Sequence, residues 1–275
     1  MTRFIVGTGS HVYEVIHPFG NLPPGMTFGN TSHVATDSQA RVYVYQRKDP
    51  PILVFDGNGN LVDSWGDGEL MDGHGIFITK NDEVFLSDRD AHEILKYDTA
   101  GNVSLRLGTR ERPALEAPFN HPADIAVTSD GEIFIADGYA NSRVHRFKPD
   151  GTHVQSWGSW GVEPGQFGVP HGVWVHKDRV YVCDRENHRV QIFDTNGVYL
   201  SHWVGFFHPM DIFIDTEETV YVTDQVPGMT MLSLDGQMIT RIRTAANAHG
   251  MWIDIYGNMY TAGNEALVTK YKKIS

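Results

Sequence analysis

The chain of 275 residues has very little cysteine: Cys183 is alone, so no disulfide bond can form within the chain. Its first residues lack the apolar stretch of a signal peptide, and no run approaches the ~18 apolar residues that a membrane-spanning helix needs. We therefore expect a cytoplasmic protein without membrane contacts, whose fold is stabilised by packing alone.

Basic residues are also scarce, since 22 Lys and Arg face 34 Asp and Glu, which gives a formal net charge of −12. Binding to the phosphate backbone of a nucleic acid requires a basic surface, so we expect no nucleic-acid partner. The sequence contains no phosphate-binding loop, no serine nucleophile elbow and no CxxC pair. The remaining candidate partner is a small molecule, and the oligomeric state is left open.

Internal repetition is the dominant feature of the sequence. Each repeat holds short apolar segments, such as IAVT, IFIAD and RVHRF in the third copy, separated by turns rich in Gly, Asp and Asn. Four such segments in about 40 residues are typical of one blade of a β-propeller. The six repeats start near residues 32, 74, 123, 171, 210 and 249. We predict an all-β, six-bladed propeller that forms a single domain over residues 1–275.

The two ends of the chain complement each other in this prediction. The last repeat stops after three strands, whereas residues 1–31 include a strand-like segment, RFIVGTGSHVYEVIH, followed by a loop. We predict that this N-terminal segment supplies the missing outer strand of the last blade. Such closure of the ring would remove sheet edges that are open to association.

Histidine occurs at one repeat position in every second blade. At the start of the innermost strand the six repeats have, in order, Ser32, His74, Ala123, His171, Met210 and His249. Alternate blades of a six-fold ring lie about 120° apart, so three imidazoles can converge on one ion and leave further positions open, as in catalytic metal sites. We predict a metal site at these three histidines, although chance placement among 14 histidines is the alternative.

The other histidines do not share this position. His121 and His208 each precede a proline and are interpreted as loop residues. A scattered group is interpreted as solvated; it consists of His92, His145, His153, His176, His188 and His202. For the predicted metal, imidazole ligands suit zinc first, with iron, manganese, nickel or copper as alternatives.

The segment from about residue 117 to 194 carries more specific motifs, DGYANSR, GQFGVPHGVWV and DRENHRVQIF. These repeats resemble NHL repeats, and the motifs are similar to those of the peptidyl-α-hydroxyglycine α-amidating lyases. That family splits an N–C–OH unit into an amide and glyoxylate at a zinc ion. The resemblance implies metal ligands at His74, His171 and His249, with Tyr139 and Arg47 as catalytic residues.

Departures from the family pattern limit what the resemblance implies. Asn247 stands in place of a methionine near the third ligand, and Asn120 and Ala140 replace a pair of cysteines. The acidic residue that the family uses for structural calcium is Gly250 here, so calcium is not predicted. The known members act on secreted peptides, whereas this sequence shows no export signal. The lyase reaction is therefore expected, and a peptide substrate is left open.

Three further residues are predicted to contact the substrate. Arg89 and Arg185 each follow a blade-corner aspartate, and Asn247 lies two residues before His249. A guanidinium group binds a carboxylate through two parallel hydrogen bonds, so we expect a small substrate that carries a carboxylate or amide. Two alternative functions remain: a non-catalytic NHL interaction module, and another propeller hydrolase such as a lactonase.

Overall fold

The computed structural model of the protein describes residues 3–263 and 266–274, and the two ends of the predicted domain, Met1 and Ser275, lie outside them. Within these ranges the regular structure is β-strand, apart from one 3-10 helix at Arg185–Asn187. The strands form six small antiparallel sheets, one of five strands and five of four strands. The predicted six-bladed β-propeller is confirmed.

The first three blades each contain four consecutive strands, ordered from the innermost strand outward. Blade 1 comprises β3 (Thr31–Thr36), β4 (Val42–Gln46), β5 (Ile52–Phe55) and β6 (Leu61–Trp65). Blade 2 comprises β7 (Gly73–Ile78), β8 (Val84–Asp88), β9 (Glu93–Tyr97) and β10 (Val103–Gly108). Blade 3 comprises β11 (Asp124–Val127), β12 (Ile133–Asp137), β13 (Arg143–Phe147) and β14 (His153–Trp157).

Blades 4 and 5 repeat this order, and blade 6 departs from it. Blade 4 comprises β15 (Pro170–His176), β16 (Arg179–Asp184), β17 (Arg189–Asp194) and β18 (Tyr199–Val204). Blade 5 comprises β19 (Pro209–Ile214), β20 (Val220–Asp224), β21 (Gly228–Leu232) and β22 (Met238–Ile242). Blade 6 begins with β23 (Gly250–Ile253), β24 (Met259–Gly263) and β25 (Leu267–Lys273). Every innermost strand starts within one residue of its predicted repeat start.

The N-terminal segment completes blade 6, as the sequence predicts. Strand β2 (His11–Ile16) pairs antiparallel with β25, with Tyr13 opposite Lys273 and Ile16 opposite Lys270. Strand β1 (Ile5–Thr8) then pairs with β2 as a fifth strand, which the sequence analysis did not predict. The outer edge of this sheet is therefore one strand further out than in the other blades.

The inner strands of a blade are more deeply buried than its outer strand. All residues of β4, β8, β12 and β20 are buried, whereas most residues of the outer strands β6, β10 and β22 are at least partly exposed. The middle strands are covered on both faces, so their sequences are mostly continuous apolar runs and do not alternate between apolar and polar residues. This pattern explains why the repeats were visible in the sequence.

Residue contacts divide the chain into two compact units. One unit runs up to Glu69 and resumes at Phe213, and the other comprises Leu70–Ile212. The first contains blades 1 and 6 and most of blade 5, and the second contains blades 2, 3 and 4 with the start of β19. No helix in the described ranges is long and apolar enough to span a membrane. The single-domain boundary over residues 1–275 stays a prediction.

A buried aspartate at the end of the second strand anchors each of blades 2, 3 and 4. Asp88 accepts hydrogen bonds from the backbone N–H groups of Met71 and Asp72, at 2.8 and 3.0 Å. Asp137 accepts one from Asn120 at 3.0 Å, and Asp184 one from Gly168 at 2.8 Å. These carboxylates hold the loop that leads into the innermost strand, and in blades 2 and 4 that strand carries His74 and His171, respectively.

We expect Asp184→Ala to lower the free energy of unfolding by about 3–5 kcal/mol, because it leaves the buried Arg189 without its carboxylate partner at 2.8 Å. Burial raises the pKa of Asp184, while hydrogen bonds from Asn187 and Arg189 oppose that rise. Urea denaturation monitored by fluorescence measures the change. Asp150→Ala is the matched control, because Asp150 is exposed in a turn; equal losses in both variants would contradict the anchoring role.

Candidate metal centre

Three buried histidines lie at the start of the innermost strands of blades 2, 4 and 6. His74 lies in β7 and His171 in β15, and His249 directly precedes β23. Their exposed fractions are 1%, 2% and 2%. The register of β7 shifts between Gly73 and Ile76, and that of β15 shifts at the equivalent place. Such bulges redirect a side chain locally and are common beside functional sites.

The same hydrogen bond orients each of the three imidazoles. The Nδ1 atoms of His74, His171 and His249 lie 2.8, 2.6 and 2.8 Å from the main-chain carbonyl oxygens of Ala123, Met210 and Ser32, respectively. A carbonyl only accepts, so Nδ1 carries the proton in each ring. Each Nε2 is then left with its lone pair, which is the form that binds a metal.

A glycine after each histidine makes this approach possible. A Cβ added to Gly75 would lie 2.7 Å from the carbonyl oxygen of Ala123, and one on Gly172 would lie 2.8 Å from that of Met210. A Cβ on Gly250 would lie 2.5 Å from the ring of His33. Real Cβ atoms do not approach other atoms so closely. Each histidine can therefore pack against the neighbouring blade only if a glycine follows it.

Within the unit Leu70–Ile212, two of the rings lie close together. One ligand nitrogen of His74 lies within 4.8 Å of one of His171. Two nitrogens bonded to one zinc ion lie at most roughly 4.2 Å apart, because each bond is about 2.1 Å long. His74 and His171 could bind a metal through these nitrogens, which fit a transition metal such as zinc. His249 stays the predicted third ligand.

The structure brings Tyr139 together with two of the histidines. Tyr139 follows β12, and its hydroxyl oxygen lies 2.9 Å from Nε2 of His74 and 3.1 Å from Nε2 of His171. Its ring meets both imidazoles edge to face, with centroid distances of 5.2 and 5.8 Å. A phenol oxygen at this place can exchange a proton with a molecule that lies beside these two imidazoles.

Arg89 and Arg185 both lie against Tyr139. The guanidinium carbons are 5.3 and 5.9 Å from the centroid of its ring, and Nη1 of Arg185 donates to its hydroxyl at 3.4 Å. Burial alone would lower the pKa of Arg89, but Asp90 and Asp72 raise it above its ordinary value. Two permanent cations therefore border the phenol, and positive charge beside it stabilises negative charge on its oxygen.

Arg47 and Asn247 lie in the other compact unit. Arg47 follows β4, where its backbone N–H donates to the carbonyl of Asn30 at 2.8 Å, and its side chain is partly exposed. Asn247 is partly buried, and its Oδ1 has no hydrogen-bond partner among the described residues. The catalytic role of Arg47 and the substrate-binding role of Asn247 stay predictions.

The interpretation of the scattered histidines as solvated was wrong for two of them. His145 is fully buried between Asp137, at 3.0 Å from Nε2, and Ser156, at 2.6 Å from Nδ1. His92 is 6% exposed, and its Nδ1 accepts from the backbone N–H of His121. Both lie on or beside strands covered on two faces, where a polar side chain needs a buried partner.

Sequence analysis missed three buried residues one position after the repeat start in the odd blades. They are His33, Asp124 and Asp211, which follow Ser32, Ala123 and Met210 and are buried. Asp124 accepts the backbone N–H of Val173 at 3.0 Å, and so joins β11 to β15. The signal was available in the repeats, because these residues occupy the column in which the even blades have glycine.

We expect Gly172→Ala to lower the free energy of unfolding by about 1–3 kcal/mol, because its Cβ would lie 2.8 Å from Met210 and Asp211 main-chain atoms. Displacing His171 would also weaken zinc binding by about 10- to 100-fold. Denaturation and zinc titration against a chelator measure the two effects. Gly57→Ala is the control, since a Cβ there has nothing within 4 Å; similar behaviour of both variants would refute the packing argument.

Comparison with known proteins identifies the repeats. The NHL repeat family matches residues 119–147 and 167–193, which lie in blades 3 and 4. These are the blades that contribute Tyr139 and His171. The predicted resemblance to NHL repeats is therefore confirmed.

Similar proteins match this chain over part of their own length. Peptidylglycine α-amidating monooxygenase of Rattus norvegicus is 34% identical over 171 residues, 56% of this chain and 18% of that protein. A probable peptidyl-α-hydroxyglycine α-amidating lyase of Caenorhabditis elegans is 34% identical over 52% of this chain and 42% of its own. NHL repeat-containing protein 3 of Homo sapiens is 33% identical over 65% of this chain and 56% of its own. The chain thus spans less than two thirds of each relative.

Solved structures agree on the fold. A gluconolactonase of Xanthomonas campestris superimposes with a TM-score of 0.73 at 17% identity, covering 96% of this chain and 90% of that one. At this identity the likeness supports the propeller architecture and no activity. The chain is therefore a six-bladed β-propeller with NHL repeats, similar in sequence to the peptidyl-α-hydroxyglycine α-amidating lyases.

Proposed function

We propose that the protein is a metal-dependent lyase that cleaves an N-acyl carbinolamine, an α-hydroxyglycine-like N–C–OH unit, into an amide and an aldehyde. One observation carries the proposal: the Tyr139 hydroxyl lies within hydrogen-bond distance of Nε2 of both His74 and His171. A proton-transfer group and two metal-ligating atoms thus meet at one point. The relatives named as peptidyl-α-hydroxyglycine α-amidating lyases support the same reaction class.

The residues that would hold the metal are His74, His171 and His249, whose Nδ1 atoms are all bonded to carbonyls. When bound, a zinc ion would supply Lewis acidity, which lowers the pKa of a coordinated hydroxyl and stabilises negative charge on oxygen. Zinc is the first candidate because three neutral imidazoles suit it, and iron, manganese, nickel or copper fit the same donors.

The side chains around Tyr139 account for the remaining steps. Tyr139, as a phenolate beside two guanidinium groups, removes the proton of the substrate hydroxyl. The hydroxyl oxygen then forms the aldehyde C=O bond, the C–N bond breaks, and its electron pair goes to nitrogen. Tyr139 returns the proton to that nitrogen, so the amide leaves neutral and the residue is regenerated.

Arginine side chains would bind the acid group of the substrate. Arg185 already donates to the Tyr139 hydroxyl, so a carboxylate on the carbinol carbon would meet it next to the reacting bond. Arg89 borders the same ring, while its pairing with Asp72 at 2.9 Å holds it in place. We further propose a catalytic role for Arg47 and a substrate-binding role for Asn247.

The proposal extends to the surroundings of the enzyme. The substrate is a small molecule with a carboxylate or amide, and we propose a cytoplasmic location without nucleic-acid or membrane partners. A purely non-catalytic interaction module is not favoured, because such a module has no use for buried histidines with aligned Nε2 atoms. The gluconolactonase likeness concerns the fold and does not favour a lactonase.

We expect Tyr139→Phe to reduce kcat by about 10²- to 10⁴-fold, because the proton-transfer group is lost. The zinc content should stay unchanged, since His74, His171 and His249 are all retained. Turnover of N-benzoyl-α-hydroxyglycine, followed by glyoxylate release, measures the first effect, and elemental analysis measures the second. Tyr256→Phe serves as control because Tyr256 is 70% exposed. A Tyr139→Phe enzyme with wild-type kcat would remove Tyr139 from the mechanism.

We expect His171→Ala to lose about one equivalent of bound metal and all lyase activity while its circular dichroism remains that of the propeller. The reason is that two imidazoles do not retain an ion that three bind tightly. The exposed His202 offers a control, and His202→Ala should keep both metal and activity. Full activity in folded His171→Ala protein would rule out the metal-dependent mechanism.

A further inference from the structure

The corner turns after the second strands of blades 2 and 4 share one sequence pattern, in which aspartate, arginine and an acidic residue are followed, one position later, by histidine. The turns are DRDAH at residues 88–92 and DRENH at residues 184–188, both in the compact unit that holds blades 2, 3 and 4. In each turn the backbone N–H of the histidine donates to the carbonyl of the arginine at 3.2 Å. Arg89 and Arg185 both border the ring of Tyr139, so each turn brings a guanidinium to the same phenol.

The two guanidinium groups are held differently. Arg89 pairs with two carboxylates, those of Asp72 at 2.9 Å and Asp90 at 3.0 Å. Among the described residues, Arg185 pairs with one carboxylate, that of Glu186, which lies 3.0 Å from its Nε. Arg185 is also the arginine whose Nη1 donates to the hydroxyl of the shared tyrosine. The orientation of this donor therefore depends on its pairing with a single acidic residue.

His208 contacts the second oxygen of that carboxylate. Its Nδ1 lies 3.2 Å from Oε2 of Glu186, whereas Oε1 faces Arg185. His208 is itself fixed, because its backbone N–H donates to Nδ1 of His188 at 3.1 Å and the two rings meet edge to face at 4.3 Å. The backbone N–H of His188 returns to the carbonyl of Arg185, so the four residues form a closed ring of contacts.

Blade 2 repeats the backbone part of this ring without the carboxylate bridge. The corresponding histidine is His121, whose backbone N–H donates to Nδ1 of His92 at 3.1 Å. Its own Nδ1, however, lies 2.9 Å from Oδ1 of Asn120. In blade 4 the residue at this place is Phe207, whose side chain has no acceptor, so the ring of His208 is available to the glutamate. The bridge thus belongs to the corner whose arginine reaches the phenol hydroxyl.

The exposure of this ion pair indicates what it contributes. The side chains of Arg185 and Glu186 are 21% and 40% exposed. A pair that is this open to water contributes little to the stability of the fold, because solvent screens the two charges. It can still fix an orientation, and a displacement of about 1 Å in a reacting group can slow a reaction by about a hundredfold. We therefore expect the pair to affect turnover and not folding.

We propose that Glu186 and His208 are positioning residues for Arg185. Glu186 holds the guanidinium against the Tyr139 hydroxyl, and His208 holds the carboxylate of Glu186. This inference rests on the proposed function, in which that guanidinium stabilises negative charge on the phenol oxygen and meets the carboxylate of the substrate. Both residues act through Arg185, so their loss should have no further effect once Arg185 is absent.

A double-mutant cycle in the zinc-loaded full-length protein tests this dependence, with glyoxylate release from N-benzoyl-α-hydroxyglycine as the assay. Glu186→Gln should lower kcat/KM by about tenfold in the wild type and by less than about twofold in Arg185→Ala. The midpoint of urea denaturation should stay unchanged. Asp90→Asn is the matched control and should have little effect, because Arg89 keeps its contact with Asp72. Equal losses in both backgrounds would overturn the proposal.

The contribution of His208 is tested by His208→Asn. His208 has a positive φ of 49°, which asparagine also adopts readily, so this variant removes the imidazole and keeps the backbone. We expect kcat/KM to fall by about threefold in the wild type and to stay unchanged in Glu186→Gln. Wild-type activity of His208→Asn would overturn the role of His208.

Nuclear magnetic resonance of the arginine Nε–H groups makes the test independent of turnover. The Arg185 signal, assigned by its loss in Arg185→Lys, should exchange with water about fivefold faster in Glu186→Gln and at the wild-type rate in Asp90→Asn. If the wild type releases no glyoxylate but this exchange depends on Glu186, the lyase proposal fails and the positioning contact stands. If glyoxylate is released and neither exchange nor kcat/KM depends on Glu186, the positioning role is overturned and the lyase proposal stands.

Discussion

In each of the three inner-strand histidines, Nδ1 donates a hydrogen bond to a main-chain carbonyl of the neighbouring blade. That bond performs two tasks that are usually separate. It ties the innermost strands of adjacent blades together, and it fixes which ring nitrogen keeps a lone pair. The stability of the propeller and the chemistry of its candidate metal centre therefore depend on the same contact. The glycine that follows each histidine is part of this arrangement, because no larger residue lets the two backbones approach.

Much of the fold could be predicted from the sequence because a propeller repeats one local pattern. The middle strands are buried on both faces, so each copy is a run of apolar residues bounded by turn residues, and aligned copies reinforce one another. The same alignment exposed His74, His171 and His249 in one column. The neighbouring column, which has His33, Asp124 and Asp211 in the other three blades, is equally regular. The sequence analysis assigned no role to these three residues.

The remaining parts of the site lie in segments that the repeat pattern does not govern. The position of Tyr139 followed from a motif, but its hydroxyl distances to two imidazoles depend on how the loop after β12 folds over the inner strands. The contact of His208 with Glu186 also depends on a loop between blades, where length and sequence differ from one repeat to the next. His145 was misread for a related reason: its partner Asp137 is eight residues away in sequence and is brought opposite only by strand pairing.

The completion of blade 6 by residues from both ends of the chain has a consequence for biosynthesis. Strand β2 pairs with β25, more than 250 residues further along the chain. Before β2 and β25 pair, the hairpin of β1 and β2 has no partner sheet, and β25 has an open edge. Contacts between such distant segments form slowly, because a long loop must close first. Until blade 6 is complete, its open strand edges can pair wrongly with another copy of the chain, and a chaperone that covers such edges would prevent this.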